Sequence, residues 1–230
     1  MKVLELFAGS RSFSKVAEEF GHKTYTTDIE PFEKIDRVCD IFDFGKDSSI
    51  NQMIEEFGKP DIIWASPPCT TFSVASIGCH WKGGKKAYIP KTEQAKLGVL
   101  IVYETIKLIH KLKPKYFYIE NPRGILRKLS VINSFNSSSF GNRIMPEHIR
   151  HTVWYCQYYN GEGVNRAKPT DIWTNDLGWS PRPVCKNGNP DCNHERAPRG
   201  SRTGTQGLKD NYERSKVPYE LCREILEGIK

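Results

Sequence analysis

Short apolar runs alternate along the chain with segments whose apolar residues recur at helical spacing. Residues 2–7 form the first run, and their β-branched and aromatic side chains predict a strand. A helix that ends at Gly21 is predicted next, because four apolar residues follow at spacings of three, one and three: Phe13, Val16, Ala17 and Phe20.

The same alternation continues as far as residue 119. Strand-like runs occur at residues 24–28, 61–64 and 116–119, with a short third element at 38–41. Helical periodicity occurs at residues 50–57 and 92–112, where Thr92 suits the N-cap of the longer helix and Pro114 stops it. Strands that alternate with helices predict an α/β fold with a mostly parallel sheet and helices on both faces.

Several residues with chemical potential come directly after these strand-like runs. They are Gly9, Asp28, Asp40, Cys69 and Glu120. Ligands of open α/β sheets bind at the carboxyl ends of the strands, near the point where the strand order reverses. We therefore expect these five residues to share one edge of the sheet.

The chain changes character after residue 175, where glycine, proline, arginine and asparagine replace the periodic pattern. We therefore expect a main domain at residues 1–175, a loop-rich insert at 176–212 and a C-terminal helix at 213–230 that returns to the main domain. In that helix an amphipathic pattern predicts three inward-facing residues: Leu221, Ile225 and Leu226.

Composition narrows the function classes. The 230 residues carry a formal net charge of +7, which favours a polyanionic partner, with nucleic acid first. No apolar stretch approaches the roughly 20 residues of a membrane helix, and the first residues do not suit a signal peptide. The seven cysteines are odd in number and scattered, which argues against a disulfide framework. We expect a monomer in the cytoplasm, with no membrane partner.

Two strand ends carry complementary chemistry. Cys69 follows Ser66-Pro67-Pro68, and Glu120-Asn121-Pro122 ends a later strand-like run. A thiol is the best side-chain nucleophile, and a carboxylic acid can donate or accept a proton. A thiol and a carboxylate that meet across a sheet edge suit the transfer of a methyl group to an unreactive pyrimidine ring.

Taken in order, the motifs resemble those of the cytosine-5 methyltransferases, and the resemblance spans nearly the whole chain. Leu6-Phe7-Ala8-Gly9 is similar to the first cofactor loop, Pro68-Cys69 to the nucleophile motif and Glu120-Asn121 to the acid motif. The resemblance implies a Rossmann-like class I methyltransferase fold, in which residues 1–175 bind S-adenosylmethionine and 176–212 form a reduced target-recognition region.

The resemblance also implies which residues hold S-adenosylmethionine. They are Phe7, Ala8, Gly9, Ser10, Asp28, Ile29, Asp40, Ile41, Pro67 and Ser215. Asp28 stands where the family has an acid for the ribose hydroxyls, and Asp40 where an acid and an apolar neighbour hold the adenine. The chain departs from the family pattern at Arg11, where further glycine is usual, and at Glu213-Arg214, where the family has Gly-Asn.

For the reaction, the resemblance implies that Cys69 attacks carbon 6 of cytosine, Glu120 binds ring nitrogen 3 and Asn121 holds its strand end. Arg166 and Lys168 stand in place of a Gln-x-Arg-x-Arg motif. Two residues apart on a strand, they would face the same side and reach the cytosine or its phosphate. A salt bridge to the sheet is the alternative.

The basic loop after the nucleophile is the expected contact with DNA. It includes Ser73, Lys82, Lys85 and Lys86. In the family the matching loop closes over duplex DNA after the target base has been flipped out of the helix. Lysines and glycines at its tip suit phosphate contact and movement.

Other readings stay open. Ser-Pro-Pro-Cys also occurs in the RNA-directed branch of the family, so a transfer RNA cytosine is an alternative target. Ser-Pro-Pro also resembles the motif of enzymes that methylate exocyclic amino groups, although these have an aromatic residue in place of Cys69. A non-catalytic nucleic-acid binder built on a lapsed enzyme is a third alternative.

The loop-rich insert contains zinc-type ligands at Cys185, Cys192 and His194. Their spacing is not a standard one. A fourth ligand is not obvious, although Glu195, Cys156 or His80 could serve. We therefore assign no metal to the chain from the sequence.

Overall fold

The computed structural model describes residues 1–84, 88–133, 147–163, 165–186, 189–195 and 210–229. Within them the strands are β1 (Lys2–Leu6), β2 (Lys23–Asp28), β3 (Arg37–Val38), β4 (Ile62–Ala65), β5 (Trp81–Lys82), β6 (Ile89–Pro90), β7 (Tyr116–Pro122), β8 (Ile149–Trp154) and β9 (Pro169–Thr174). The helices are α1 (Ser12–Glu19), α2 (Ile41–Phe44), α3 (Asp47–Glu56), α4 (Ile77–His80), α5 (Glu93–Leu112), α6 (Ser130–Asn133), α7 (Asn211–Ser215) and α8 (Tyr219–Gly228). Short 3₁₀ turns occupy Val74–Ser76, Leu126–Lys128 and Tyr155–Tyr158.

Seven of the strands form one sheet in the order β3-β2-β1-β4-β7-β9-β8. The pairs from β3 to β7 are parallel, and β9 is antiparallel to both of its neighbours. The predicted α/β fold with a mostly parallel sheet is therefore confirmed. Because β9 runs against β7, the residues just before β9 lie at the carboxyl end of β7, where Thr170 pairs with Pro122.

Side-chain alternation along the strands produces a core on each face of the sheet. Leu4 and Ile63 pair in register and contribute to one core with α5. Val3 and Ile62, one position earlier, contribute to the other core with α1 and α8. The Phe13 ring of α1 stacks on Trp64 of β4, with ring centroids 4.6 Å apart. Helices therefore cover both faces, as the sequence predicts.

Most element boundaries agree with the hydrophobic pattern. Helix α5 covers the predicted segment, and the Thr92 side chain caps it by accepting a hydrogen bond from the Ala95 N–H at 3.2 Å. The short element predicted at residues 38–41 is instead two: β3 ends at Val38, and Asp40 then caps α2. Leu221, Ile225 and Leu226 of α8 are buried.

The predicted division at residues 175 and 212 stays a prediction. Among the described residues from Asp176 to Glu195 there is no helix or named strand, although Glu195 pairs with Arg166 in an isolated bridge. No helix in the described parts of the chain has both the length and the apolar character needed to cross a bilayer.

Candidate active site

Cys69 lies in a rigid turn after β4. Two prolines precede it, and their rings restrict the backbone. After it, the N–H groups of Phe72 and Ser73 both donate to the Cys69 carbonyl, at 3.0 and 3.1 Å. The thiol is half-buried. The sequence thus places a thiol at the carboxyl end of a buried strand with little freedom to move.

Glu120 and Asn121 lie at the end of β7, the strand next to β4. Glu120 is 4% exposed, and its Oε1 accepts a hydrogen bond from the Tyr155 hydroxyl at 2.8 Å. The same oxygen lies 3.8 Å from Lys168 Nζ. Asn121 is fully buried and donates to the Pro67 carbonyl at 2.8 Å. The acid strand end is therefore tied to the turn that carries Cys69.

A second tie joins the two strand ends further along. Ser73 pairs with Gly124 in an isolated antiparallel bridge, and the Ile125 N–H donates to the Phe72 carbonyl at 2.8 Å. A Cβ at Gly124 would lie 2.1 Å from the Phe72 carbonyl oxygen, so only glycine fits this approach. The segments after Cys69 and after Glu120 are thus in direct backbone contact.

The electrostatics of the thiol follow from its surroundings. Burial raises the pKa of Cys69, the Lys168 ammonium lowers it and the Glu120 carboxylate raises it. Burial lowers the pKa of Lys168, which Glu120 and Cys69 raise. The charges of Glu120 and Lys168 therefore act on the thiol in opposite directions, and the positive charge of Lys168, with a smaller contribution from Arg214, favours the thiolate.

The strand placement of Arg166 and Lys168 was wrong. Strand β9 begins at Pro169, and both cations lie in the irregular segment before it. The two side chains nevertheless lie over the same ring, that of Tyr155, at 5.7 and 4.8 Å from its centroid. Proline has no N–H to donate to a sheet and commonly stands first in a strand, which explains the boundary.

The two cations have different partners. The Arg166 guanidinium donates to the carbonyls of Glu213 and Lys216, at 2.8 and 2.6 Å. Lys168 Nζ donates to the Arg214 carbonyl at 3.2 Å and faces Glu120. Arg166 therefore holds the backbone of the C-terminal segment. Lys168 instead belongs with Cys69 and Glu120, and its ion pair with Glu120 of β7 is the salt bridge to the sheet that the sequence analysis gave as the alternative.

The loop between β1 and α1 depends on its backbone conformation. Phe7, Gly9 and Arg11 have φ angles of 58°, 35° and 54°, in the left-handed region. The Gly9 N–H donates to Asp28 Oδ2 at 2.9 Å, which joins the ends of β1 and β2. Arg11 is 7% exposed and its guanidinium pairs with Glu18 of α1. Glycine adopts the left-handed conformation freely, whereas the side chain at position 11 makes it strained.

Several of the other residues predicted to bind the cofactor are near this loop. Ala8 and Ser10 are buried, and the Ser10 hydroxyl contacts the Ser12 hydroxyl at 2.7 Å. The Val217 N–H donates to the same Ser12 oxygen at 3.1 Å, so the C-terminal segment meets the loop. Ser215 is exposed on α7, where its hydroxyl donates to the Tyr212 carbonyl, and Pro67 is buried.

The ends of β2 and β3 present carboxylates beside exposed apolar side chains. Asp28 accepts hydrogen bonds from Gly9 and from Glu30, and it pairs in register with Val38. Ile29 is 65% and Val38 51% exposed, whereas Ile41 is 5% exposed and belongs to the core. A carboxylate beside uncovered apolar surface fits a nucleoside, whose hydroxyls donate and whose base is flat and apolar on its faces.

The expected DNA contacts are described only in part. Ser73 is half-buried, with its hydroxyl 3.1 Å from that of Ser76. Lys82 is exposed on β5, which pairs with β6 as a two-stranded ribbon. Lys85 and Lys86 lie outside the described residues.

Two side chains at this edge have roles that sequence reasoning missed. Tyr155 contacts Glu120, but nothing in the local pattern distinguishes it from its aromatic neighbours. Glu5 is buried in β1 and accepts hydrogen bonds from the N–H groups of Phe13 and Ser14, which fixes the start of α1. Burial raises the pKa of Glu5. The sequence signal for Glu5 was a carboxylate in the middle of an apolar run.

Comparisons with known proteins agree with this arrangement. The family described as C-5 cytosine-specific DNA methylase matches residues 1–142. A "Probable DNA (cytosine-5)-methyltransferase" of Frog virus 3 (isolate Goorha) is 26% identical over 239 residues, which cover 99% of both chains.

Two solved structures are also similar. A DNA modification methyltransferase encoded within an E. coli prophage has a TM-score of 0.51 and 15% identity, covering 80% of this chain and 52% of that one. DNMT2 of Spodoptera frugiperda has a TM-score of 0.43 and 19% identity, covering 77% and 51%. The chain thus spans about half the length of the solved structures that it matches. The likeness to the prophage protein confirms the predicted Rossmann-like methyltransferase fold.

Proposed function

Because this chain belongs to the C-5 cytosine-specific DNA methylase family, we propose that it transfers a methyl group from S-adenosylmethionine to carbon 5 of a flipped cytosine in DNA. The observation that carries the proposal is the group formed by Cys69, Glu120 and Lys168 at one sheet edge. Net charge of +7 is consistent with a nucleic-acid substrate.

The Cys69 sulfur is the nucleophile of the proposed reaction. It forms a bond to carbon 6 of cytosine, which turns carbon 5 into an enamine-like carbon that can accept a methyl group. Loss of the carbon 5 proton and of the sulfur then restores the ring and releases the enzyme. Since burial raises the pKa of the thiol, the Lys168 ammonium supports the thiolate form in which the sulfur attacks.

Glu120 is the acid that makes the ring electrophilic. In the described part of the chain, its contacts with Tyr155 and Lys168 are both made to Oε1, which leaves Oε2 for ring nitrogen 3 of cytosine. A hydrogen bond or proton at that nitrogen draws electrons from the ring as the sulfur attacks. Asn121 contributes by holding Glu120 and the Cys69 turn together through Pro67.

S-adenosylmethionine, when bound, supplies an electrophilic methyl group. Asp28 would accept hydrogen bonds from its ribose hydroxyls, and Ile29 and Val38 would cover its base with the apolar surface that they now expose. The loop of Phe7, Ala8 and Gly9 would approach its methionine part through the backbone. Asp40 stands beside the same surface and caps α2.

The first experiment measures transfer of labelled methyl to four substrates in parallel: duplex DNA, single-stranded DNA, transfer RNA and free cytosine nucleotide. We expect 5-methylcytosine in hydrolysed duplex DNA. Transfer confined to transfer RNA would replace the DNA substrate with RNA, and no transfer to any of them would indicate a lapsed enzyme.

Cys69→Ser should lower turnover by about 10³-fold or more while the Kd for S-adenosylmethionine stays within about threefold, because the change is local. A duplex with 5-fluorocytosine at the target should form a denaturant-stable adduct with the wild type, since fluorine cannot leave as the carbon 5 proton does. Cys79→Ser, which removes an exposed thiol, should still form it. Methyl transfer that survives Cys69→Ser would instead favour methylation of an amino group.

A further inference from the structure

Four potential metal ligands from two segments of the chain converge beside the catalytic region. They are Cys156, Cys185, Cys192 and His194, and one ligand atom from each lies within 4.8 Å of all the others. Cys156 follows β8 in the 3₁₀ turn Tyr155–Tyr158, whereas the other three belong to the irregular segment after β9. The structure thus supplies the fourth ligand that the spacing of the other three leaves open.

The separation of the Cys185 and His194 ligand atoms suits a tetrahedral metal site. Zinc–sulfur bonds of about 2.3 Å and zinc–nitrogen bonds of about 2.0 Å place a sulfur and a nitrogen about 3.5 Å apart in a regular tetrahedron. Cys185 Sγ and His194 Nδ1 lie 3.7 Å apart. None of these cysteines forms a disulfide, so their sulfurs are available to a metal.

Burial and hydrogen bonds position the group. Cys156, Cys185 and His194 are 7%, 1% and 6% exposed, and Cys192 is half-buried. Asn189 Nδ2 lies 3.7 Å from Cys185 Sγ in donor geometry, the type of outer contact that supports a thiolate ligand.

Hydrogen bonds also join the cluster to the segment before β9, at Asn165. The Glu195 N–H donates to the Asn165 carbonyl at 3.0 Å, and the Asn165 side chain donates to Asn193 Oδ1 at 2.6 Å. These bonds flank His194 on both sides. The ligands are therefore held by the fold rather than by chance proximity of exposed side chains.

We propose that Cys156, Cys185, Cys192 and His194 bind one structural zinc ion. Three thiolates and one imidazole form a zinc-ligand set, and four protein ligands complete a tetrahedral shell with no position for water or substrate. The site is therefore structural and not catalytic. Segments that lack helices and strands bury little apolar surface, and a metal supplies the stability that they cannot obtain from packing.

The zinc ion would also support the acid of the active site. Cys156 is adjacent to Tyr155, whose hydroxyl binds Glu120, and Ala167 of the same small cluster lies between Arg166 and Lys168. The ion would thus fix the segment after β9 against the turn Tyr155–Tyr158, whose first residue binds Glu120. The residues named for methyl transfer are not among its ligands, so the two proposals can fail separately.

The test measures the metal content of the full chain, expressed with zinc and iron supplied and purified without chelators. Mass spectrometry of the digested protein should find about one zinc ion per chain. Cys185→Ser and Cys192→Ser should each lower the content to below about a tenth of an ion, and Cys79→Ser should leave it unchanged. Cobalt in place of zinc should give the visible absorption of tetrahedral thiolate coordination.

Thiol labelling of the native wild type keeps the proposal testable if the variants do not fold. Cys192 is half-buried, so as a free thiol it should react with iodoacetamide; as a zinc ligand it should react only after chelator removes the metal. Four results would each overturn the assignment: iron in place of zinc, a zinc content near zero in the wild type, full zinc content in Cys185→Ser, and labelling of Cys192 without chelator.

Discussion

The two halves of the sheet edge are built by different means. At the ends of β4 and β7 the site consists of buried side chains: Glu120, Tyr155 and Lys168 contact one another, and Asn121 donates to the Pro67 carbonyl. At the ends of β1 and β2 it consists of backbone in unusual conformations, with Phe7, Gly9 and Arg11 at positive φ and Asp28 accepting a backbone N–H. The first half is suited to chemistry on a base and the second to holding a flexible cofactor.

This difference predicts separable defects. Substitutions at the β4–β7 half should lower the rate of methyl transfer and leave cofactor affinity nearly unchanged. Substitutions at the β1–β2 half should weaken cofactor binding, or alter stability, and leave the rate at saturation nearly unchanged.

Among the changes that compare the two halves, the largest effect is expected from Glu120→Gln. The amide cannot protonate ring nitrogen 3, and we expect kcat to fall by about 10²- to 10⁴-fold, the range of general acid catalysis. The Kd for S-adenosylmethionine should stay within about threefold of wild type, measured by calorimetry. A loss of cofactor binding equal to the loss of rate would show that the two halves of the sheet edge do not act separately.

Asp28→Asn is the matched change on the cofactor side. The amide oxygen can still accept from the Gly9 N–H, but the contact with the Glu30 N–H and the charge that strengthens hydrogen bonds to the ribose are lost. We expect the Kd for S-adenosylmethionine to rise about tenfold, or about 1.4 kcal/mol, with kcat at saturation within about threefold. An unchanged Kd would remove Asp28 from the cofactor site.

The pH dependence of Cys69 alkylation tests the charge arrangement. Because burial raises the pKa of this thiol, its rate of reaction with iodoacetamide should increase with pH up to and beyond 9.0, its ordinary value. Lys168→Met removes the charge that lowers this pKa most, so at pH 8 the alkylation rate should fall by about three- to tenfold. Lys168→Arg keeps the charge and should react at a rate close to wild type. Faster alkylation of Lys168→Met would show that Lys168 does not lower the pKa of Cys69.

The smallest effect is expected at Arg11. Glycine relieves the left-handed backbone but loses the ion pair with Glu18, so Arg11→Gly should change the free energy of unfolding by less than about 1 kcal/mol. Arg11→Ala keeps the strained backbone and loses the pair, and it should be about 1 kcal/mol less stable than Arg11→Gly. Urea unfolding measures both. An alanine variant as stable as the glycine variant would contradict a strained loop.

Local signals were sufficient for most of the elements up to β7 and for the two principal strand ends. The apolar runs before Cys69 and Glu120 predict parallel strands whose ends share one edge of the sheet, and the capping of α5 by Thr92 is readable from residue type alone. The spacing of apolar residues indicates which face of a helix or strand a side chain occupies, and it does not depend on distant parts of the chain.

Contacts between distant segments were not readable in this way. Tyr155 meets Glu120 only because β9 and β8 follow β7 in the sheet, and Cys156 meets Cys185 for the same reason. The partners of Arg166 are backbone carbonyls about fifty residues later, which carry no residue-specific signal. The error over Arg166 and Lys168 was local, since the proline that opens β9 sets a boundary that alternation alone does not mark.

The close approach of Gly124 to the Phe72 carbonyl has a consequence for how this enzyme can evolve. The bridge between Ser73 and Gly124 makes the segments that carry Cys69 and Glu120 one mechanical unit, so neither can drift in position without displacing the other. Under the proposed mechanism, adaptation to a new substrate would therefore come from surfaces outside this unit. A side chain at position 124 would test this coupling in a single step, by shifting both reactive groups at once.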